Sequence, residues 1–141
     1  MDQVQPQVVV INEQFWYNAS FLPLTAQANS IGTINIQADA DFLIIKQARF
    51  VTDANTNSPV TAPLVSVVLT DTGSGRQMMD VATHMETIFG TAQFPYILPQ
   101  AKRLSANSTY QIALTSLTGA VDYNIYIDFS GFKQYKFKPG N

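Results

Sequence analysis

Apolar and polar residues alternate most strictly towards the C-terminal end of the chain. Tyr110, Ile112 and Leu114 fall on one side, with Gln111, Ala113 and Thr115 on the other. After Leu117-Thr118-Gly119-Ala120, the residues Val121, Tyr123, Ile125, Ile127 and Phe129 alternate with Asp122, Asn124, Tyr126, Asp128 and Ser130. Such alternation, carried by β-branched and aromatic residues, predicts half-buried antiparallel strands. Read as neighbours, the two runs predict a long hairpin over 109–132. Its apolar face must be buried, so the rest of the chain should supply a facing sheet.

Upstream, Gly32 to Gln37 alternates and reads as a strand, and Ala38-Asp39-Ala40-Asp41 as a turn. Phe42 to Val51 is the next strand. It is apolar on both sides at Phe42-Leu43-Ile44-Ile45 and becomes amphipathic from Lys46, with no clean inward face; a bulge near Lys46 would account for that. Residues 52–59 form a loop by composition. A strand over 60–70 puts Val65, Val67 and Leu69 on one face, and Asp71-Thr72-Gly73-Ser74-Gly75 makes a tight turn with Gly73 and Gly75 expected at positive φ. The one helical signal is 83–89: Thr83 and Glu86 have capping-box spacing, Met85, Ile88 and Phe89 share a face, and Gly90 is placed to end the helix. Phe94 to Pro99 must be extended, because each proline biases its predecessor away from α. Roughly seven or eight short strands with closely spaced turns predict an all-β domain over 31–132: an antiparallel two-sheet sandwich of jelly-roll or Greek-key type.

The two ends lack this regularity. Residues 1–30 mix polar residues with isolated apolar groups: Val8 to Ile11, Phe15-Trp16-Tyr17, and Phe21 to Leu24. They predict an extended N-terminal arm lying on a surface, its own or a neighbour's; the alternative is a first strand on the domain's own sheet. As an arm, the segment offers Phe15, Trp16, Tyr17 and Phe21 as protein-interface anchors, and a chain without residues 1–24 should still fold. The tail, 133–141, holds three of the chain's eight basic residues, interleaved with Tyr135 and Phe137. These two aromatics are further interface candidates.

Composition narrows the chemistry. Charged residues make up 13%, against about a quarter in an ordinary soluble domain. Either a partner covers part of the surface or the surface is rich in uncharged polar residues. The net charge of −2 drives no binding to a polyanion, and the basic-aromatic tail is too short to track nucleic acid by itself. With no cysteine there is no disulfide, thiolate metal site or Cys nucleophile. No basic leader and no long apolar run is present, so a soluble, unprocessed chain with no membrane partner is expected. The Asn18-Ala19-Ser20 and Asn107-Ser108-Thr109 sequons would matter only in a secretory pathway.

Four groupings hint at chemistry. Val68-Leu69-Thr70-Asp71-Thr72-Gly73-Ser74 looks like the active-site loop of an aspartic protease, where two aspartates share a proton. A single copy would need a homodimer, sits late in the chain, and lacks the supporting apolar-apolar-Gly strand at a suitable distance. A turn begun by Asp71 is the simpler reading. Asp80, His84 and Glu86 include the only histidine and make a poor transition-metal set. Asp39, Asp41 and Asp71 sit in oxygen-rich loops without the length or closing Glu of an EF-hand. Gly73-Ser74-Gly75-Arg76 lacks the Lys-Ser/Thr end of a phosphate loop. No catalytic residue, metal ligand or cofactor site is therefore assigned, and the expectation is a protein that is not an enzyme.

The order of features resembles the jelly-roll cement or decoration proteins that clamp the outer capsid of tailed bacteriophages. The residues carrying the likeness are Ala38-Asp39-Ala40-Asp41-Phe42, Leu69 to Arg76, Phe89-Gly90-Thr91-Ala92-Gln93, Pro95 to Pro99, and Asn107-Ser108-Thr109 before the strands ending at Gly131-Phe132-Lys133. The likeness leaves both ends uncovered. It implies a virion structural protein on the outer capsid surface, assembled in the host cytoplasm. Its partners would be the major capsid protein and itself, as a homodimer or homotrimer. The competing reading is a binding module of a phage tail, neck or fibre that recognises a receptor or a carbohydrate, for which Tyr126 and Phe132 on the outer face of the last strand are the hints.

Overall fold

The alternation at 109–116 and 123–130 does form two strands, but they do not pair with each other. A computed structural model describes residues 9–137. In chain order the elements are β1 (Val9–Leu24), β2 (Asn29–Asn35), β3 (Asp41–Asp53), β4 (Val65–Asp71), β5 (Arg76–Gln77), β6 (Thr83–His84), α1 (Met85–Ile88), β7 (Tyr96–Leu104), β8 (Thr109–Ser116) and β9 (Tyr123–Phe137). One sheet, here sheet A, has the order β1-β9-β3-β7; the other, sheet B, has β2-β8-β4-β5, with β6 also on β4. β8 and β9 are thus interior strands of opposite sheets. Their apolar faces meet across the sandwich, with the rings of Tyr110 and Phe129 edge to face at 5.5 Å. Alternation shows that a strand has one buried face and is silent about which strand lies beside it.

The pairs β1·β9, β2·β8, β3·β7 and β4·β6 nest one inside the next, all antiparallel. The chain is one long hairpin rolled up so that β3 also pairs with β9 and β4 with β8. This is the jelly-roll form of the expected two-sheet sandwich. Its core is filled from both sheets by residues including Phe42, Ile44, Leu104, Ile125, Ile127 and Phe129 from sheet A and Val65, Val67, Leu69, Tyr110, Ile112 and Leu114 from sheet B.

Two expectations need correction at the ends. The arm expected over 1–30 is, from Val9 to Leu24, strand β1, paired residue by residue with β9 from Val9↔Phe137 to Phe21↔Ile125, and its last two residues begin β2. The tail expected from 133 is, as far as Phe137, the end of β9. The physical reason is that Tyr17, Ala19 and Phe21 share one face and bury it at 5–8% exposure, whereas Trp16 and Leu22 on the other face are apolar too. Apolar residues on both faces hide the period of two.

The bulge expected near Lys46 is present, as a register shift between Ile44 and Lys46 against both neighbouring strands. The one short helix is present as α1, but its capping box does not form. His84 is the N-cap and makes no side-chain capping bond. Glu86 instead pairs with the buried guanidinium of Arg49, whose Nη2 also donates to the Thr61 carbonyl at 2.9 Å. With His84 at the N-cap, Thr83 and Glu86 do not occupy the N-cap and N3 positions that the box needs, and the Glu86 carboxylate is free to pair with the buried cation. Gln47 adds a second tether, its Nε2 donating to the Ile88 carbonyl at 2.6 Å.

Candidate functional site

Sheet A has an outer face that no other element covers among the described residues, and that face is where the exposed aromatics collect. Strand registers fix its rows. Ser20, Tyr126 and Phe50 lie side by side on β1, β9 and β3; next come Asn18, Asp128 and Ala48; then Trp16, Ser130 and Lys46, continued by Ile97 on β7. Phe132 follows, between Gln14 and Leu43. Trp16 is 53% exposed, Phe50 51%, Ile97 66%, Tyr126 39% and Phe132 39%. The Phe50 and Tyr126 rings lie 6.2 Å apart and tilted. Phe94, in the turn after Gly90, stands 80% exposed beyond this sheet. Between Trp16, Lys46, Asp128 and Ser130 the face sinks into a hollow of about 200 Å³.

The bulge builds this face. Before it, Phe42 and Ile44 point inward; after it, Gln47, Arg49 and Val51 point inward, and Lys46, Ala48 and Phe50 point out. Without the extra residue the period of two would turn Lys46 into the core and Arg49 out to solvent.

The residues expected to anchor an interface divide between the two faces of the sheet. Tyr17 and Phe21 are core residues. Phe15 packs against that core edge to face with Tyr17, at 4.9 Å between centroids. Trp16 alone of the four stands on the outer face. Tyr135 is half-buried, and its hydroxyl donates to Asp39 at 3.3 Å; the Phe137 side chain lies outside the described residues. The residues that sequence reasoning had not joined to Trp16 are Phe50, Ile97, Lys46 and Asp128. Each belongs to another strand, and only the register assembles them.

Lys133, the first basic residue of the expected tail, turns inward at the rim of the sandwich. Its ammonium lies 4.3 Å from the centre of the Phe15 ring and donates to Gln37 and to both carboxylate oxygens of Asp39, the latter at 3.1 and 3.2 Å. The bond from Lys133 holds the Asp39 carboxyl below the ordinary carboxylate range. Burial alone would lower the Lys133 ammonium, but the bond and charge of Asp39 outweigh it and raise it. This cation is therefore committed within the molecule and not offered to a polyanion.

Asp71 is likewise committed. It is buried at the end of β4, where its Oδ1 accepts from the Gly73 backbone N–H at 3.0 Å and its Oδ2 lies 3.2 Å from the Lys102 ammonium. Of the two glycines expected at positive φ, only Gly75 has it, at 71°. Burial pushes the Asp71 carboxyl up, but the bond and charge of Lys102, with smaller help from Ser74 and Gly73, hold it below the ordinary range. A carboxyl depressed in the folded state contributes stability above its unfolded value, and that contribution is lost as pH falls through the folded one. Asp71→Asn should therefore cost about 1–2 kcal/mol at neutral pH, an amount set by one screened charge-assisted bond. Below about pH 4, the unfolded value, the gap to wild type should narrow, closing as pH falls through the lower folded value. Urea melts at pH 7 and pH 3 read this, and a gap as wide at pH 3 as at pH 7 would contradict it.

Among the described residues no group of three His, Asp or Glu side chains is placed to hold a metal ion, and no helix is long and apolar enough to cross a membrane. Compared with known proteins, the chain matches no family model, no curated protein sequence and no solved structure.

Proposed function

We propose that this chain is a non-enzymatic structural protein of a virus particle, a cement or decoration protein that binds the outside of a tailed-bacteriophage head and stabilises the shell. The observation that carries the reading is the outer face of sheet A. It sets Trp16, Phe50, Tyr126, Phe132 and Ile97 in water on paired strands whose backbone is already ordered. Large exposed apolar groups gathered on one face mark an interaction surface, and Trp and Tyr are the residues that dominate such surfaces. The resemblance of the turn-and-strand order names the shell as the partner and implies a homodimer or homotrimer on it.

The mechanism is mechanical. A shell is held by many weak interfaces, and a protein that lies across the boundary between subunits adds buried area at each one. Modest affinity per copy is enough, since repetition over the lattice multiplies the effect.

Sedimentation of the purified chain with expanded capsids tests this. The expected result is co-sedimentation at a fixed number of copies per shell. Trp16→Ala combined with Tyr126→Ala should weaken binding by about 100-fold or more, as for two interface anchors. A chain that stays in the supernatant would overturn the reading. The competing one, a receptor- or carbohydrate-binding module, rests on Trp16 standing beside the polar groups of the hollow; retention on a glycan surface, lost in the same double variant, would support it.

A further inference from the structure

Strand β1 leaves one edge of sheet A bare. Sheet A ends in β1 and β7, and sheet B in β2 on one side and β5 and β6 on the other. An end strand shows a row of unpaired N–H and C=O groups to any passing chain, and proteins guard such rows with shortness, proline, lysine or a bulge. The other ends are guarded in these ways. β5 and β6 have two residues each and β2 has seven. β7 carries Pro99, Lys102 and Arg103 and breaks register against β3. β1 runs for 16 residues and keeps regular register with β9 from Val9 to Phe21, with its first irregularity between Phe21 and Leu24. Its one charged residue is Glu13, and its one proline, Pro23, lies past the regular stretch. Every second residue of an antiparallel strand turns its N–H and C=O away from the neighbour. Among the described residues, no backbone group on the outer edge of β1 finds a partner.

The composition of this edge points to a copy of itself. Set antiparallel across a two-fold axis, two identical strands bring matching donors and acceptors together, in the same sense as every pair sheet A already has. The exposed residues on the outer face of β1 include Asn12, Gln14, Trp16, Asn18 and Ser20. A carboxamide is donor and acceptor at once, so Asn and Gln can bond their own kind. No row of like charges repels a second β1, and no row of charge complements an acidic or basic strand of another protein.

We propose that this chain is a two-fold dimer in which β1 of one copy pairs antiparallel with β1 of the other, joining the two A sheets into one of eight strands, four from each copy. An axis normal to the sheet keeps both outer faces on the same side, so Trp16, Phe50 and Tyr126 of both copies form one continuous surface. The pairing stands whatever that surface binds. On the shell-binding reading it gives each dimer two contact faces in fixed relation. It selects the dimer over the trimer, since self-pairing uses up the edge and closes at two.

Sedimentation velocity on the full chain without capsids tests it. The expected result over about 1–100 μM, the range of a modest self-affinity, is a reversible monomer–dimer equilibrium. Gln14→Lys combined with Asn18→Lys, both at exposed positions, should weaken the dimer by about 10-fold or more through like charges on the edge. Near-ultraviolet circular dichroism should stay unchanged in that variant. The chain has no cysteine, so Asn12→Cys, Asn18→Cys and, as a control, Gln100→Cys on β7 can each carry a single spin label. Strands spaced about 4.8 Å apart put the β1 labels of the two copies close together and the β7 labels about 30 Å or more apart, across the whole joined sheet. Dipolar distances should therefore be shortest from β1. A monomer throughout, a trimer, open-ended growth, or β7 labels closer than β1 labels would each overturn the proposal. A dimer that the lysine variant weakens but that ignores capsids upholds the pairing and sinks the shell reading; capsid binding by a monomeric chain does the reverse.

Discussion

Deleting residues 1–24 is expected to abolish the folded state. The segment is strand β1, and its loss removes Tyr17, Phe21 and Leu24 from the core at a stroke. At about 1.5–3 kcal/mol for each large side chain buried, those three account for roughly 5–9 kcal/mol, comparable with the whole stability of an ordinary domain, about 5–15 kcal/mol. The effect does not stop at β1. Tyr17 and Phe42 pack edge to face at 4.7 Å, so Phe42 on β3 loses a packing partner in the core. The Tyr17 hydroxyl that accepts the Gln37 backbone N–H at 3.0 Å is lost as well, and β9 becomes a bare edge over its whole length, open to pairing with another chain. Loss of the near-ultraviolet circular dichroism, dye binding and association on size exclusion are the expected observations. A truncated chain that melts cooperatively within about 5 °C of the full one, a difference on the order of 1–2 kcal/mol, would show that β1 is the dispensable arm its sequence suggests. For the same reason a truncation does not test the proposed shell binding; substitutions on the outer face do.

What the sequence disclosed follows from what a period of two can say. β4 and β8 were legible because each has one buried face and one half-exposed face, with Val65, Val67 and Leu69 or Tyr110, Ile112 and Leu114 alternating with smaller or polar residues. The bulge was legible because the inward set changes parity between Ile44 and Gln47. β1 was not, because Phe15-Trp16-Tyr17 is apolar on both faces, one face serving the core and the other the exposed surface. Pairing was not legible anywhere. Adjacent runs suggested a hairpin of β8 with β9, and the nested order puts them in different sheets. The candidate site shared both obstacles. Tyr126 and Phe132 stood out as outward aromatics on a recognisable strand, but Trp16 belonged to a segment with no period. Phe50, Lys46 and Asp128 join it only through registers that span more than a hundred residues of chain. A buried Asp71 or a paired Asp39 draws the eye in a motif search, whereas Asp128 is one polar letter in an alternating strand.

Replacing Gly131 with alanine should be among the most damaging single changes in the molecule. An alanine Cβ there would stand 1.7 Å from the Leu43 carbonyl oxygen, 2.8 Å from its carbon and 3.1 Å from the Ile45 nitrogen. All three are backbone atoms of β3 at the bulge, so no side chain can swing aside, and Gly131 lies on β9, which pairs with β1 on its other side. Relief requires moving one strand of a sheet buried on its inner face. Overpacking of this kind costs about 3 kcal/mol or more, which for a chain of this size lowers the melting temperature by roughly 10 °C. Gly75→Ala is the control. Its Cβ would meet nothing within 4 Å, and only the positive φ of 71° opposes it, at about 1 kcal/mol. Equal melting temperatures for the two variants would mean that β3 does not approach Gly131 as described. The consequence reaches the candidate site, because the bulge that Gly131 accommodates is what turns Lys46, Ala48 and Phe50 outward beside Trp16 and Asp128. If the strained variant relieves the contact by losing the bulge, every residue on one side of it changes face. The chain would then lose the outer face proposed to bind the shell even at temperatures where sheet B still holds.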